Sequence, residues 1–90
     1  MEFRWNEWNL EHIAKHGVSA EEAEELIRDA RPPFPEKIED DKWLVVGKVG
    51  GGRFLQAIFV EDNDDPDCAY VLHARPLTEK EKRRLRKRLR

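Results

Sequence analysis

Three apolar, β-branched runs stand almost back to back in the second half of this chain. They are Lys42-Trp43-Leu44-Val45-Val46-Gly47-Lys48-Val49, Arg53-Phe54-Leu55-Gln56-Ala57-Ile58-Phe59-Val60 and Ala69-Tyr70-Val71-Leu72-His73-Ala74-Arg75. Only Gly50-Gly51-Gly52 separates the first two, and an acidic loop, Glu61 to Asp67, with a turn at Asp65-Pro66, separates the last two. Runs of this composition bounded by turn residues are strands. Connections this short permit only antiparallel neighbours, because a parallel crossover needs about a dozen residues or more. The chain must therefore build around an antiparallel meander, with 42–60 as a β-hairpin. The runs are apolar on both faces. The middle of the sheet is thus expected to be covered on one side and partly on the other.

What covers it must come from the flanks. Asn6 can cap a helix over about 6–16, in which Leu10, Ile13 and Ala14 fall at helical spacing. Gly17 is placed to be its left-handed exit. Ser19-Ala20-Glu21-Glu22 has the form of a capping box, and Ala23, Leu26, Ile27 and Ala30 then make an apolar stripe ended by Pro32-Pro33. Phe34 to Glu39 reads as a short extended edge segment. After Pro76, Thr78-Glu79-Lys80-Glu81 opens a third helix from about 79 to the end, with Leu85 and Leu89 as its only large apolar residues. So narrow a stripe predicts weak docking. The fold class is α+β: two N-terminal helices, a small antiparallel sheet of three to four strands, and a basic C-terminal helix.

The 90 residues make one domain, 1–90, and a single cysteine, Cys68, excludes an internal disulfide framework. No apolar run approaches the roughly 20 residues of a membrane span, and no secretory leader is visible. The expectation is a soluble cytoplasmic protein without a membrane partner. The net charge of -2 conceals an asymmetry. Residues 1–42 carry six basic and twelve acidic side chains, residues 43–75 three and five, and residues 76–90 eight and two. The run holding Lys80, Lys82, Arg83, Arg84, Arg86 and Lys87 fits salt-sensitive contact with a nucleic-acid backbone. The ordinary explanation is a solvated tail, or one paired with Glu21, Glu22, Glu24 and Glu25.

Several positions could carry chemistry. His12 and His16 lie four apart on one helical face, where a metal would need a third ligand from His73 or a carboxylate. No HExxH pattern is present, and helix-end packing of one ring explains the pair as well. His73 and Arg75 share a face of the third strand, and Arg75 stands just before a helix start, a good place for a phosphate donor. A salt bridge to a carboxylate of the N-terminal half is the alternative for Arg75. If Gly50-Gly51 form a two-residue loop, Lys48 opposes Arg53, a repulsion that a phosphate would relieve; a loop one residue longer pairs Val49 with Arg53 instead. Cys68 has no basic neighbour in sequence, so a free, partly buried thiol is expected.

Trp5-Asn6-Glu7-Trp8-Asn9, then His12-Ile13, Lys15-His16-Gly17-Val18-Ser19 and Glu21-Glu22-Ala23, resemble the opening of BrnT-like toxins, the ribonuclease halves of BrnT/BrnA type II toxin–antitoxin modules. The usual form reads roughly W(D/N)xxKxxxNxxKHGVSFEEA. The stretch Val71-Leu72-His73-Ala74-Arg75-Pro76-Leu77-Thr78-Glu79-Lys80-Glu81-Lys82 is similar to that family's (I/V)(I/S/H)AR-x-(A/L/M)-T-x-x-E-(K/R). The resemblance implies a RelE-like fold and a bacterial, metal-independent endoribonuclease without a cofactor. It also implies neutralisation by a ribbon-helix-helix, BrnA-like antitoxin, with operator DNA bound only through the antitoxin complex. Cleavage by 2′-OH attack needs a base, an acid and cations for the phosphorane. Arg75 is the phosphate stabiliser by motif match. By chemistry alone, Lys48 and Arg53 are further clamps, and His73 or Lys15/His16 the proton carriers. The chain departs from the family at Leu85, often Tyr there, and at Glu61-Asp62, where a basic residue is usual. Trp5 and Trp8 read as core or interface anchors rather than as stackers of RNA bases. The rival function is a noncatalytic binding module of the same fold.

Overall fold

The computed structural model describes residues 1–88; Leu89 lies outside them. The elements in chain order are β1 (Glu2–Arg4), α1 (Glu7–Ala14), α2 (Ala20–Arg28), β2 (Glu36–Lys37), β3 (Lys42–Lys48), β4 (Phe54–Glu61), β5 (Cys68–Pro76) and α3 (Glu79–Arg88). The result is a small α+β domain. Its sheet runs β1-β5-β4-β3-β2, so the expected meander forms its body.

The sheet is nevertheless five-stranded and mixed, which corrects the expectation of three or four antiparallel strands. β1 pairs parallel to β5, with Glu2 opposite Cys68, Phe3 opposite Ala69 and Arg4 opposite Tyr70. Three residues with no turn signal around them give no local sign of a strand; the partner edge, far along the chain, makes one. The turn between β3 and β4 is the longer alternative. Val49 donates its N–H to the Arg53 carbonyl and Gly52 its N–H to the Val49 carbonyl. Gly52 sits at φ 86, a left-handed position natural to glycine. Lys48 therefore faces Phe54, and the opposition of like charges does not arise.

Capping explains where the helices begin and end. Asn6 and Asn9 cap each other's backbone at the start of α1. At its end Gly17, φ 72, closes a Schellman motif, with Val18 N–H on the Ile13 carbonyl and Gly17 N–H on that of Ala14. Ser19 and Glu22 form the capping box of α2, and Thr78 and Glu81 exchange the same two bonds at α3.

One face of the sheet buries Val45, Leu55, Ala57, Phe59, Val71 and Ala74. Ile13 of α1, Val18, and Ala23, Leu26 and Ile27 of α2 complete this core. α1 lies on β5, and α2 on β3 and β4. On the other side Leu85 of α3, Leu77 and Phe34 line a crevice with Leu44, Val46 and Gln56. Leu85 is buried, and two ion pairs reinforce that single anchor, Arg75 to Glu81 and Arg88 to Glu36, both at 2.7 Å. Among the described residues the basic helix thus pairs with Glu36 and with its own carboxylates, not with the α2 glutamates.

Asn9 is the one buried polar side chain among the described residues. Its amide donates to the Arg4 carbonyl and its oxygen accepts from the Asn6 N–H, tying β1 to α1. Asn9→Ala strands both backbone groups, and a loss of about 1–3 kcal/mol is expected in urea unfolding. An unchanged midpoint would show that water replaces the amide.

Candidate active site: a three-histidine cluster

The chain has three histidines, and the fold brings all three together. His12 comes from α1, and His16 from the turn that follows it, four residues on. His73 comes from β5. The ring centroids of His16 and His73 lie 5.1 Å apart, those of His12 and His73 5.7 Å, and those of His12 and His16 6.2 Å, all edge to face. A register shift sets His73 in place. Phe59 pairs with Val71 but Ile58 pairs with His73, leaving Leu72 as the extra residue of a β-bulge. Bulges bend a strand and re-aim the side chain beside them.

Burial pushes the His73 imidazole below its ordinary value of 6.5, and His16, His12 and Arg75 push it the same way. His73 is therefore neutral at pH 7, and a neutral ring offers one nitrogen as proton acceptor. Although the rings gather, no group of three or more His, Cys, Asp or Glu among the described residues is placed to hold a metal ion.

The other expected site residues fall at two distances from this cluster. Lys15 lies in the exposed turn after α1, adjacent to His16 in sequence. Arg53 reaches the same helix end. Its Nη1 donates to the Gly17 carbonyl at 3.1 Å and binds Glu22 at 3.0 Å. Arg75 lies two residues beyond His73, across buried Ala74. Its guanidinium fork is closed on Glu81, with Nη1 to Oε1 at 2.8 Å and Nη2 to Oε2 at 2.7 Å, and Nη2 also donates to Gln56. The partner is thus a carboxylate of the terminal helix, not one from the N-terminal half. Glu81 is drawn down to about 2, first by the Arg75 hydrogen bond and then by the Thr78 N–H.

Lys48 stands apart at the hairpin end, exposed, with its Nζ 5.9 Å from the Phe54 ring; Lys82 approaches the same ring at 5.9 Å. Lys80, Arg83, Arg84, Arg86 and Lys87 are exposed along α3. The site is therefore a histidine cluster with nearby guanidiniums already engaged, and a separate basic face. A cleft of about 860 Å³ touches none of these residues; four carboxylates, Asp40, Asp41, Glu61 and Asp62, and two cations, Arg4 and Lys37, line it, and its net acidity disfavours a polyanion.

Cys68 is free and half-buried, as expected. Burial and the nearby Asp62 and Asp65 raise its thiol, which makes it a poor nucleophile. Trp5 packs against the core and its indole donates to Glu24 at 2.7 Å. Trp8 does not: it is 58% exposed and stacked on His12, centroids 5.2 Å apart and planes 5° from parallel. From sequence, His12 reads as a metal ligand or a helix-end packing ring, and Trp8 as an anchor in preference to a base stacker. The spacing at 8, 12 and 16 was the available signal that the rings are neighbours.

Comparison with protein-family models, curated proteins and solved structures found no match.

Proposed function

We propose that this chain is a BrnT-like toxin of RelE-like fold: a bacterial cytoplasmic, metal-independent endoribonuclease held in check by a ribbon-helix-helix antitoxin. The single observation that carries the reading is the convergence of all three imidazoles, with Arg75 near enough to His73 to act on its charge. The motif resemblance at both ends of the chain supports it. In the reaction, neutral His73 takes the proton of the RNA 2′-OH. The O2′–P bond forms and the P–O5′ bond breaks, and a second imidazole, His16 being the nearest, gives its proton to the departing 5′ oxygen. The products are a 2′,3′-cyclic phosphate and a 5′-OH. Arg75 stabilises the phosphorane charge, and the basic α3 face gathers the substrate.

The purified protein is expected to cleave RNA in EDTA, leaving cyclic-phosphate ends, and to arrest growth when expressed without a partner. Absence of cleavage would sink the reading. The engagement of both Arg53 and Arg75 by carboxylates favours one rival, a noncatalytic module that binds nucleic acid through α3. That rival predicts salt-dependent binding, weakened by removal of residues 80–90, and no cleavage.

A further inference from the structure

Trp8 is exposed in an unusual setting. Indole is a large, mostly apolar ring. One face of the ring is already occupied by His12, stacked almost parallel at 5.2 Å. The indole is nevertheless 58% exposed. The ring is not free to wander, because the reciprocal Asn6–Asn9 cap and the burial of Asn9 fix the first turn of α1.

Trp8 and His12 lie four apart on α1, and His16 lies four further on in the turn after it, so the rings follow one another from the indole to the histidine cluster. Lys15, an exposed cation, follows three residues after His12. Leu10, the other exposed apolar residue of α1, is turned about 200° away around the helix. The exposed apolar surface on this side of α1 is therefore one ring wide, with the imidazole of His12, the ammonium of Lys15 and the carboxylate of Glu11 around it. Protein-docking surfaces are broader contiguous apolar patches. A single flat ring beside cationic and proton-carrying groups matches a nucleotide: a planar base on the indole, a phosphate toward the cations.

From this juxtaposition we infer that Trp8 is a stacking platform for an unpaired RNA base, and that the site takes single-stranded RNA. The inference rests on the ribonuclease reading and names its substrate class. The helix rises about 12 Å from residue 8 to residue 16, so the stacked base belongs to a nucleotide neighbouring the scissile phosphate. Trp8 thus sets binding and position, not proton transfer. Duplex RNA keeps its bases stacked on one another and cannot supply one.

The test uses the full-length protein labelled with 5-fluorotryptophan, whose three tryptophans give three ¹⁹F lines. Trp8→Phe assigns the line of Trp8. A short 2′-O-methyl RNA, which cannot be cleaved, is titrated as a single strand and as a duplex. The single strand is expected to shift the Trp8 line while the lines of Trp5 and Trp43 stay put. Trp8→Ala is expected to weaken binding five-fold or more, and Trp8→Phe, which keeps a flat ring, by less than three-fold. Thermal melting of both variants checks that they fold, as an exposed position should allow. On cleavable RNA, Trp8→Ala should raise KM and leave kcat within about two-fold.

An unmoved Trp8 line, equal binding by Trp8→Ala, or equal affinity for duplex and single strand overturns the inference; the ring would then belong to a protein interface. Binding through Trp8 without any cleavage of ordinary RNA in EDTA would support the platform and overturn the ribonuclease reading. The two failures are thus separable.

Discussion

His73→Ala is expected to lower kcat/KM for RNA cleavage by about 10²–10⁴-fold, the usual worth of a positioned acid or base. The fold should barely register the change, because His73 is half-buried and lies beside a bulge, outside the packed core; a difference below about 1 kcal/mol in urea unfolding is expected. His16→Ala should cost a similar factor, since its ring is the nearest to His73. The double variant should be little worse than either single one, because an acid and a base that act as a unit fail as a unit. His12 is different. Its ring lies between Trp8 and the other two imidazoles, so its loss is expected to cost less, through position. Wild-type cleavage by His73→Ala would eliminate the proposed site.

The pH dependence follows from the same geometry. Burial and the cationic neighbours depress His73 below 6.5, so the base stays available in mildly acidic solution. The acid limb of kcat/KM should therefore fall below pH 6.5. Stability carries a matching sign. Below pH 6.5 the unfolded chain takes up a proton at this residue more readily than the folded one, so stability is present above that pH and is lost as pH falls through the window beneath it. His73→Ala should remove this component of the acid-side decline. A decline unchanged by the substitution would mean that other groups cause it.

The fold was legible where local signals sufficed. Turn residues on either side of 42–49, 53–60 and 69–75 defined the meander, and Gly17, Ser19 and Thr78 marked helix boundaries that agree with the structure to within about two residues. β1 was not legible, because Glu2–Arg4 becomes a strand through the free edge of β5 and not through its own composition. The site divides in the same way. The spacing of His12 and His16 could be read along the chain, and His73 was already the natural third member. The meeting itself depends on α1 docking on β5 and on the bulge at Leu72, which no local pattern encodes. Ion pairs were least legible. Arg53 looked like a phosphate clamp, and Arg75 like either a phosphate donor or the partner of an N-terminal-half carboxylate, yet Glu22 and Glu81, each the closing residue of a capping box, claim them. A glutamate that caps a helix by one oxygen still has charge to offer, and the nearest guanidinium takes it.

That last arrangement makes the Arg75–Glu81 pair the sharpest place to separate chemistry from architecture. Glu81 satisfies the start of α3 and clamps Arg75 at once. Arg75→Ala should therefore lower cleavage by about 10²–10³-fold, as loss of a charge-stabilising donor does, and also loosen α3. Glu81→Gln should loosen α3 as well but release the guanidinium toward RNA, so its cleavage should equal or exceed that of the wild type. Both side chains are partly exposed, 30% and 26%, so water screens the pair and its contribution is held to about 1–2 kcal/mol. That contribution has a pH signature. Glu81 is drawn from 4.5 to about 2, so the stability is fully present above about pH 4.5 and is lost as pH falls toward 2. Glu81→Gln should lack that acid-side loss, and Arg75→Ala should keep only the part owed to the Thr78 N–H, in a comparison of urea midpoints between pH 6 and pH 3. The two variants thus both lose stability and diverge in cleavage only if Arg75 meets the phosphate. Equal loss of cleavage in both would reduce the pair to a brace for the terminal helix.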